Sequence, residues 1–331
     1  MTTYFVTGGE GFIGYHLSKE LSKNQNNEII TYDAQKHYVP LDRSNWPTYL
    51  QYRIDSLDVD NITRIRGDTT DRGLLKETIQ DYEPDIVVHL AALPIANISN
   101  KYPEEARRNI LDGTITLLDV LREVEFDLER IVYTSSSMVY GDFPMDEDGN
   151  IIPAREDDEC DPRGLYGSMK LSGEHITRSY THRFGIPHTI VRPSAVYGPT
   201  DCNHRVTEIF LTNALNGDRL RLDNGGHHKL DFTYVKDVVS GFIRASTHEN
   251  AANETFNMTR GEGRSIRELA EVVQDLVPGT ETYEYEKTVH RPNRGALDIS
   301  KAKELLDYSP EYSLEEGIAE YHDFVTSKGT Y

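Results

Sequence analysis

Apolar and polar positions alternate in two rhythms along the first part of the chain. Tyr4-Phe5-Val6 is an unbroken apolar run, and behind it Ile13, Leu17 and Leu21 recur at the spacing of one helix face. Glu28-Ile29-Ile30-Thr31-Tyr32-Asp33 predicts a second strand ending in a carboxylate, and Ile62 to Arg66 a third ending at Gly67-Asp68. Leu74 to Tyr82 is helical in pattern. Ile86-Val87-Val88-His89-Leu90 is continuous and rich in β-branched residues, as a strand covered on both faces should be, and it ends in the small residues Ala91-Ala92. Glu104 to Glu123 predicts a long helix carrying Ile110, Ile115, Leu117, Leu118 and Leu121, with Asn109 as its polar exception. Arg130 to Ser135 and Pro187 to Arg192 are further strands, separated by a helix through Tyr166, Leu171, Ile176 and Tyr180. This alternation predicts an α/β chain built on a doubly wound parallel sheet with right-handed crossovers. The polar stretch after Asp33, with Pro40, Trp46 and Pro47, reads as an irregular excursion. Beyond residue 193 shorter helices, strands and loops follow. The simplest organisation is a first domain of residues 1–192 and a smaller α/β domain of residues 193–331, with interwoven segments.

The turn after the first strand narrows the chemistry. Gly8, Gly11 and Gly14 stand at G-x-x-G-x-x-G spacing directly before the first helix. Backbone without Cβ atoms turns sharply and lets a pyrophosphate approach the amides, and the helix N-terminus offers N–H donors and positive dipole. Gly8 makes the turn, Gly11 the close approach and Gly14 the helix-to-strand contact. Asp33 lies about twenty residues further on, where a carboxylate accepts hydrogen bonds from the adenosine ribose and repels a 2′-phosphate. NAD is therefore favoured over NADP. Asp68 is placed to meet the adenine, and the small residues after His89 leave room for a cofactor in the crevice. His89 itself reads as a hydrogen-bonded core residue.

Composition removes other classes. The chain has 331 residues and a formal charge of −20, which disfavours nucleic acid and anionic membrane surfaces. No apolar run approaches spanning length, and Met1 leads into the first strand without a signal-peptide pattern, so a cytoplasmic protein is expected. Cys160 and Cys202 are too few for a disulfide framework and lack metal-ligand spacing. His227 and His228 are adjacent, have no acidic or cysteine partners at ligand spacing, and predict no metal.

Catalytic chemistry can come from Tyr166 and Lys170, four apart on one helix face, with Ser136 at the end of a serine-rich strand. A phenol with a pKa near 10 needs nearby positive charge to act as a base at neutral pH. Lys170 supplies one such charge and an oxidised nicotinamide another. Ser136 can hydrogen-bond the substrate oxygen while its proton is removed.

As a set, Thr7-Gly8-Gly9-x-Gly11-Phe12-Ile13-Gly14, Leu90-Ala91-Ala92, Asn109 with Gly113-Thr114, Ser135-Ser136-Ser137-x-Val139-Tyr140-Gly141, Tyr166-x-x-x-Lys170 and Asp231-Phe232-x-Tyr234-Val235-x-Asp237-Val238 resemble the extended short-chain dehydrogenase/reductase family. The chain looks like the nucleotide-sugar epimerase and dehydratase branch over nearly its whole length. The resemblance implies a Rossmann-type NAD domain, a nucleoside-diphosphate sugar in the second domain, and a homodimer built through a four-helix bundle. It implies Tyr166 as base, Lys170 lowering its pKa and holding the nicotinamide ribose, and Ser136 aiding proton transfer. Phe12, Ile13, Thr69, Leu90, Ala91, Ala92 and Asn109 join Gly8, Gly11, Gly14, Asp33 and Asp68 on the cofactor side, and Ser137, Met138, Ala195, Arg205 and Arg294 fall on the substrate side.

Departures from the family pattern shape the functional expectation. Dehydratases carry Asp-Glu where this chain has Ser137-Met138, and UDP-glucuronate decarboxylases commonly carry a glutamate at Met138. Methionine cannot donate or accept that proton. Ala195 stands where the family often has asparagine, and Leu230 where an arginine contacts the diphosphate, a charge that Lys229, Arg205, Arg291 or Arg294 must replace. Tyr140 and Tyr197 read as core. The expected activity is NAD-dependent epimerisation of a nucleotide sugar, most simply at C4 of a UDP-hexose. Alternatives are reduction of a 4-keto nucleotide sugar with NAD(P)H and an idle NAD-binding sensor.

Overall fold

The computed structural model describes residues 1–39, 45–286 and 292–330. Through the first part of the chain the elements are β1 (Thr2–Thr7), α1 (Phe12–Leu21), β2 (Asn27–Asp33), α2 (Trp46–Ser56), β3 (Ile62–Arg66), α3 (Arg72–Tyr82), β4 (Ile86–His89), α4 (Ala96–Lys101), α5 (Pro103–Arg107), α6 (Gly113–Glu123), β5 (Arg130–Thr134), α7 (Leu165–Phe184) and β6 (His188–Arg192). They are followed by β7 (Val196–Tyr197), α8 (Val206–Leu215), β8 (Leu220–Asp223), β9 (Lys229–Asp231), β10 (Thr233–Tyr234), α9 (Val235–Thr247), β11 (Glu254–Asn257), β12 (Gly263–Ser265), α10 (Ile266–Leu276), β13 (Thr282–Tyr285), α11 (Ser300–Leu306) and α12 (Leu314–Lys328).

Seven strands form one parallel sheet in the order β11-β6-β5-β4-β1-β2-β3. Adjacent residues of its inner strands feed two different cores. Tyr4, Val6, Val88, Val132 and Val191 point to one face, and Phe5, Ile30, Val87 and Ile131 to the other. Two buried faces are why these strands read as unbroken apolar runs rather than alternating ones. Strand order reverses direction between β1 and β4, so the crevice beyond their carboxyl ends is where a doubly wound sheet opens to a ligand. The later part of the chain contributes β11 to this same sheet, while β7 with β10, β8 with β13 and β9 with β12 make three two-stranded sheets.

Two elements differ from the expectation. The stretch after Asp33 is not wholly irregular, because Trp46–Ser56 is helical with Pro47 in its first turn. Only Tyr49 and Arg53 of that helix are buried, so it shows almost no apolar stripe for periodicity to detect. The helix expected over Glu104–Glu123 is continuous in space but carries one π turn at Arg108–Asp112, where Asn109 sits. Pro40 and Arg291 lie outside the described residues. Among the described residues no helix is long and apolar enough to cross a membrane.

Candidate functional site

The glycine turn is a cradle that side chains would fill. Gly8 has φ +70°, and a Cβ on it would lie 2.8 Å from the Ala91 nitrogen. A Cβ on Gly14 would lie 2.1 Å from the Gly8 carbonyl oxygen. No side chain caps α1, whose N-cap is Gly11, so its first amides face the crevice. The crevice is a cavity of about 900 Å³ lined by Gly11, Ile13, Asp33, Asp68, Ala91 and Tyr166 among others. Asp33 ends β2 with its carboxylate held by the Glu10 amide at 3.0 Å and the Gln35 amide at 2.6 Å. Burial raises its pKa against those two hydrogen bonds. An open glycine cradle on a helix N-terminus, with a fixed carboxylate one strand away, fits the pyrophosphate and ribose of a dinucleotide.

The remaining cofactor-side positions also line this cavity: Phe12, Thr69, Leu90, Ala92 and Asn109. Gly113 makes room for Thr69, whose Oγ1 would be 2.4 Å from a Cβ there. Asp68 pairs with Lys36, Nζ to Oδ2 at 2.8 Å, and Lys36 also donates to Asn109 Oδ1 at 3.2 Å. Burial works to raise the Asp68 pKa, but hydrogen bonds from Lys36 and Thr70 hold it below the usual range. His89 is a core residue between Thr7 Oγ1 at 2.7 Å and Thr114 Oγ1 at 3.0 Å, and burial lowers its pKa to about 3.

Ser136, Tyr166 and Lys170 converge on the same cavity from different elements. Ser136 follows β5 and caps a short 3₁₀ turn, its Oγ accepting from the Met138 amide at 3.2 Å. Tyr166 opens α7, and Lys170 stands one turn later with Nζ donating to the Thr134 carbonyl at 2.7 Å. Burial lowers the Lys170 pKa to about 7, with the Glu174 carboxylate opposing it. Burial raises the Tyr166 phenol, while the charge of Arg205 and a hydrogen bond with Ser136 pull it back down. Arg205, the N-cap residue of α8, lines the cavity and acts on the phenol.

The residues expected on the substrate side come from scattered segments. Arg294 Nη2 donates to Ser137 Oγ and, at 3.1 Å, to Ser194 Oγ, while Nη1 lies 3.1 Å from Met138 Sδ. Arg205 donates to the Val196 carbonyl at 2.9 Å and the Pro94 carbonyl at 3.4 Å. Ala195 has φ +37°, and Thr200 and His204 in the following loop have φ +70° and +54°. Leu230 lines the cavity while Lys229 beside it is exposed. Tyr140 and Tyr197 are buried core residues, with their hydroxyls donating to Asn257 and to the Leu314 carbonyl. Cys160 and Cys202 are both free thiols. Among the described residues no three His, Cys, Asp or Glu groups converge as a metal site.

Residues 4–259 match the model of the NAD dependent epimerase/dehydratase family. The chain belongs to that family. Its Rossmann-type sheet and glycine cradle are those of an NAD-dependent epimerase/dehydratase, and the cofactor of the family is NAD. The uncharacterized UDP-glucose epimerase YtcB of Bacillus subtilis is 30% identical over 97% of each chain. UDP-glucuronic acid decarboxylase 3 of Arabidopsis thaliana is 32% identical over 95% of this chain and 86% of its own. The solved UDP-glucuronic acid 4-epimerase of Bacillus cereus, in complex with UDP-glucuronic acid and NAD, superposes with a TM-score of 0.86 and 29% identity, covering 99% of this chain and 100% of that one.

This epimerase/dehydratase also holds residues that sequence reasoning passed over. Glu174 is fully buried and takes Arg192 in a fork at 2.8 and 2.7 Å, together with the Ser135 hydroxyl at 2.5 Å. It stands one helix turn beyond Lys170, a spacing legible on the Tyr166-Lys170 face. Ser194 and Lys36 had no such signal, since only the folded chain sets them beside Arg294 and Asp68.

Proposed function

We propose that this chain is an NAD-dependent epimerase of a nucleoside-diphosphate sugar, acting at C4 of a UDP-hexose through a transient 4-keto sugar. The observation that carries this is the convergence of Ser136, Tyr166 and Lys170 on the cavity that also holds the glycine cradle and Asp33. In this reading Gly8, Gly11, Phe12, Ile13 and Gly14 hold the pyrophosphate, Asp33 the adenosine ribose, and Asp68, Thr69 and Asn109 the adenine end. Leu90, Ala91, Ala92, Tyr166 and Lys170 surround the nicotinamide end. NAD, when bound, supplies the reversible hydride acceptor. Tyr166 takes the proton of the C4 hydroxyl and returns it after the keto sugar has turned over, with Ser136 hydrogen-bonded to the same oxygen. Arg205 supplies positive charge that favours the phenolate, and Lys170 adds to it in its protonated form. The sugar is held by Ser137, Met138, Ala195, Arg205 and Arg294.

Met138 supports epimerisation over loss of water or CO₂, because a thioether moves no proton. The cofactor is held mainly by residues 1–192 and the sugar mainly by 193–331. We read the protein as a cytoplasmic homodimer, paired through α6 and α7, where Ile115, Leu165 and Phe184 are exposed apolar side chains. Incubation with a panel of UDP-sugars without added reductant tests the activity. The expected product has unchanged mass and an inverted stereocentre by NMR. Conversion only when a keto sugar and NAD(P)H are supplied would make the protein a reductase instead.

A further inference from the structure

Behind the cavity, the end of β5 is stitched to α7 residue by residue. Tyr133 Oη donates to the Lys170 carbonyl at 3.3 Å, Lys170 Nζ donates to the Thr134 carbonyl at 2.7 Å, and Ser135 Oγ donates to Glu174 Oε1 at 2.5 Å. Gly173 permits the approach, since a Cβ there would lie 1.9 Å from Tyr133 Oη. Glu174 also reaches the end of β6: Arg192 Nε donates to its Oε1 at 2.8 Å, and Arg192 Nη2 to its Oε2 at 2.7 Å. Arg178 Nη2 adds a further donor at 3.1 Å. Arg192 carries the connection onward, Nη1 donating at 2.8 Å to Tyr140 Oη, which donates at 2.8 Å to Asn257 Oδ1 of β11.

Glu174 is fully buried and lies outside the cavity lining. Burial works to raise its pKa, but Arg192, Ser135 and Arg178 hold it below the usual carboxylate range, so it is an anion at neutral pH. Packing alone does not call for this charge. A buried ion pair replaced by apolar side chains of similar volume often leaves a fold as stable or more so. What apolar side chains cannot do is fix three elements against one another by directional bonds. Those elements are the ones that carry the site. Ser135 directly precedes Ser136, Glu174 stands one turn beyond Lys170 on the helix that also bears Tyr166, and Arg192 leads into Ser194 and Ala195.

We propose that Glu174 is a positioning residue for the reaction: through Ser135 and Arg192 it sets α7 against the ends of β5 and β6, so that Ser136 and Tyr166 meet at one substrate oxygen with Lys170 one turn away. The inference rests on the epimerase reading, which gives Ser136 and Tyr166 that common oxygen. The charge of Glu174 has a second effect. The titratable groups around Lys170 are Tyr166 and Glu174 on its own helix, Tyr133 on β5, whose ring centroid is 5.4 Å from Nζ, and His89 on β4. Burial keeps Tyr133 and Tyr166 neutral phenols in the free protein and His89 a neutral imidazole with a pKa of about 3. Among the described residues Glu174 is then the anion that acts on Lys170, opposing the burial that lowers its pKa to about 7.

The test measures kcat and KM for the UDP-sugar, bound NAD, Tm, and the titration of Lys170 followed by NMR in lysine-labelled enzyme. Ser135→Ala keeps the ion pair and removes only the tie to β5. It should lower kcat while KM and bound NAD stay as in the wild type. Glu174→Gln should lower kcat by about 100-fold, the scale of a misplacement of about 1 Å. In the same variant the Lys170 titration and the alkaline limb of kcat should both move to lower pH, because burial is then unopposed. Since Glu174→Gln leaves Arg192 without its counter-ion, Glu174→Leu combined with Arg192→Met is the control: the apolar pair should restore Tm, but kcat should stay low. Wild-type kcat in Ser135→Ala or in the apolar pair would make the cluster a purely structural one and overturn the proposal. If the wild type turns over no UDP-sugar, the epimerase reading falls and the Lys170 titration decides the part of Glu174 by itself: a shift in Glu174→Gln supports it, and an unmoved titration overturns it.

Discussion

The proposed cofactor half and the proposed substrate half of this cavity are built by opposite means. The cofactor half hangs on the carboxyl ends of adjacent parallel strands, and its decisive contacts are between backbone atoms: Gly14 against the Gly8 carbonyl, Gly8 against Ala91. The substrate half is assembled from Pro94, Ser137, Ala195, Arg205, Leu230 and Arg294, positions far apart in the chain, and its loop carries non-glycine residues at positive φ. A rigid half shaped by backbone leaves little freedom for change, while a half shaped by side chains on loops can be retuned to a new sugar without disturbing the hydride chemistry.

Four changes test how far that division holds, from the largest effect to the smallest. Tyr166→Phe should lower turnover by about 10²–10⁴-fold, the range for a general acid–base group. NAD content, measured after denaturation, should be unchanged, because the cradle is made by other residues; loss of both would join the two halves. Gly14→Ala places a Cβ on backbone with no flexible neighbour to yield, and should cost about 1–3 kcal/mol in a urea titration along with NAD affinity. An unchanged Kd for NAD would break the view that backbone contact governs this half.

In the first turn of α8, burial, with the charge of Asp201 beside it, raises Glu208 from 4.5 to about 8. The folded state keeps this proton to higher pH than the unfolded chain does. The stabilisation is complete below the unfolded value near 4.5 and is lost as pH rises through about 8. Glu208→Gln should therefore flatten the fall in Tm over that interval, and an unaltered slope would move the pH dependence elsewhere. Smallest is Ala195→Gly, where relief of φ +37° should stabilise the fold by about 0.5–1 kcal/mol. A destabilised variant in the same titration would show that the alanine methyl packs more than the backbone strains.

Legibility in the sequence follows the same division. The fold and the Gly8-Gly11-Gly14 turn are legible because strand, turn and helix are contiguous, so spacing alone carries their geometry. Tyr166 and Lys170 are legible because four residues are one helix turn. The helix at Trp46–Ser56 was not, because its fixing contacts are buried polar ones: Arg53 donates to the Glu10 carbonyl at 3.2 Å and to the Thr200 carbonyl, and Tyr49 meets Thr330 at 2.8 Å. A pattern of apolar positions cannot register a helix held in that way.

What the sequence by itself determined, then, is the doubly wound sheet, the NAD-type cradle and the one-turn spacing of Tyr166 and Lys170, all of which depend on local spacing and on runs apolar enough to be covered on both faces. What only the tertiary structure decided is where isolated charges end up. Arg294 read as a cation for the diphosphate, but its fixed backbone turns it toward Ser137 and Ser194. Lys36 carried no motif and yet bridges Asp68 and Asn109. A charge acts through its distance to other groups, and for residues far apart in the chain that distance exists only once the chain has closed on itself.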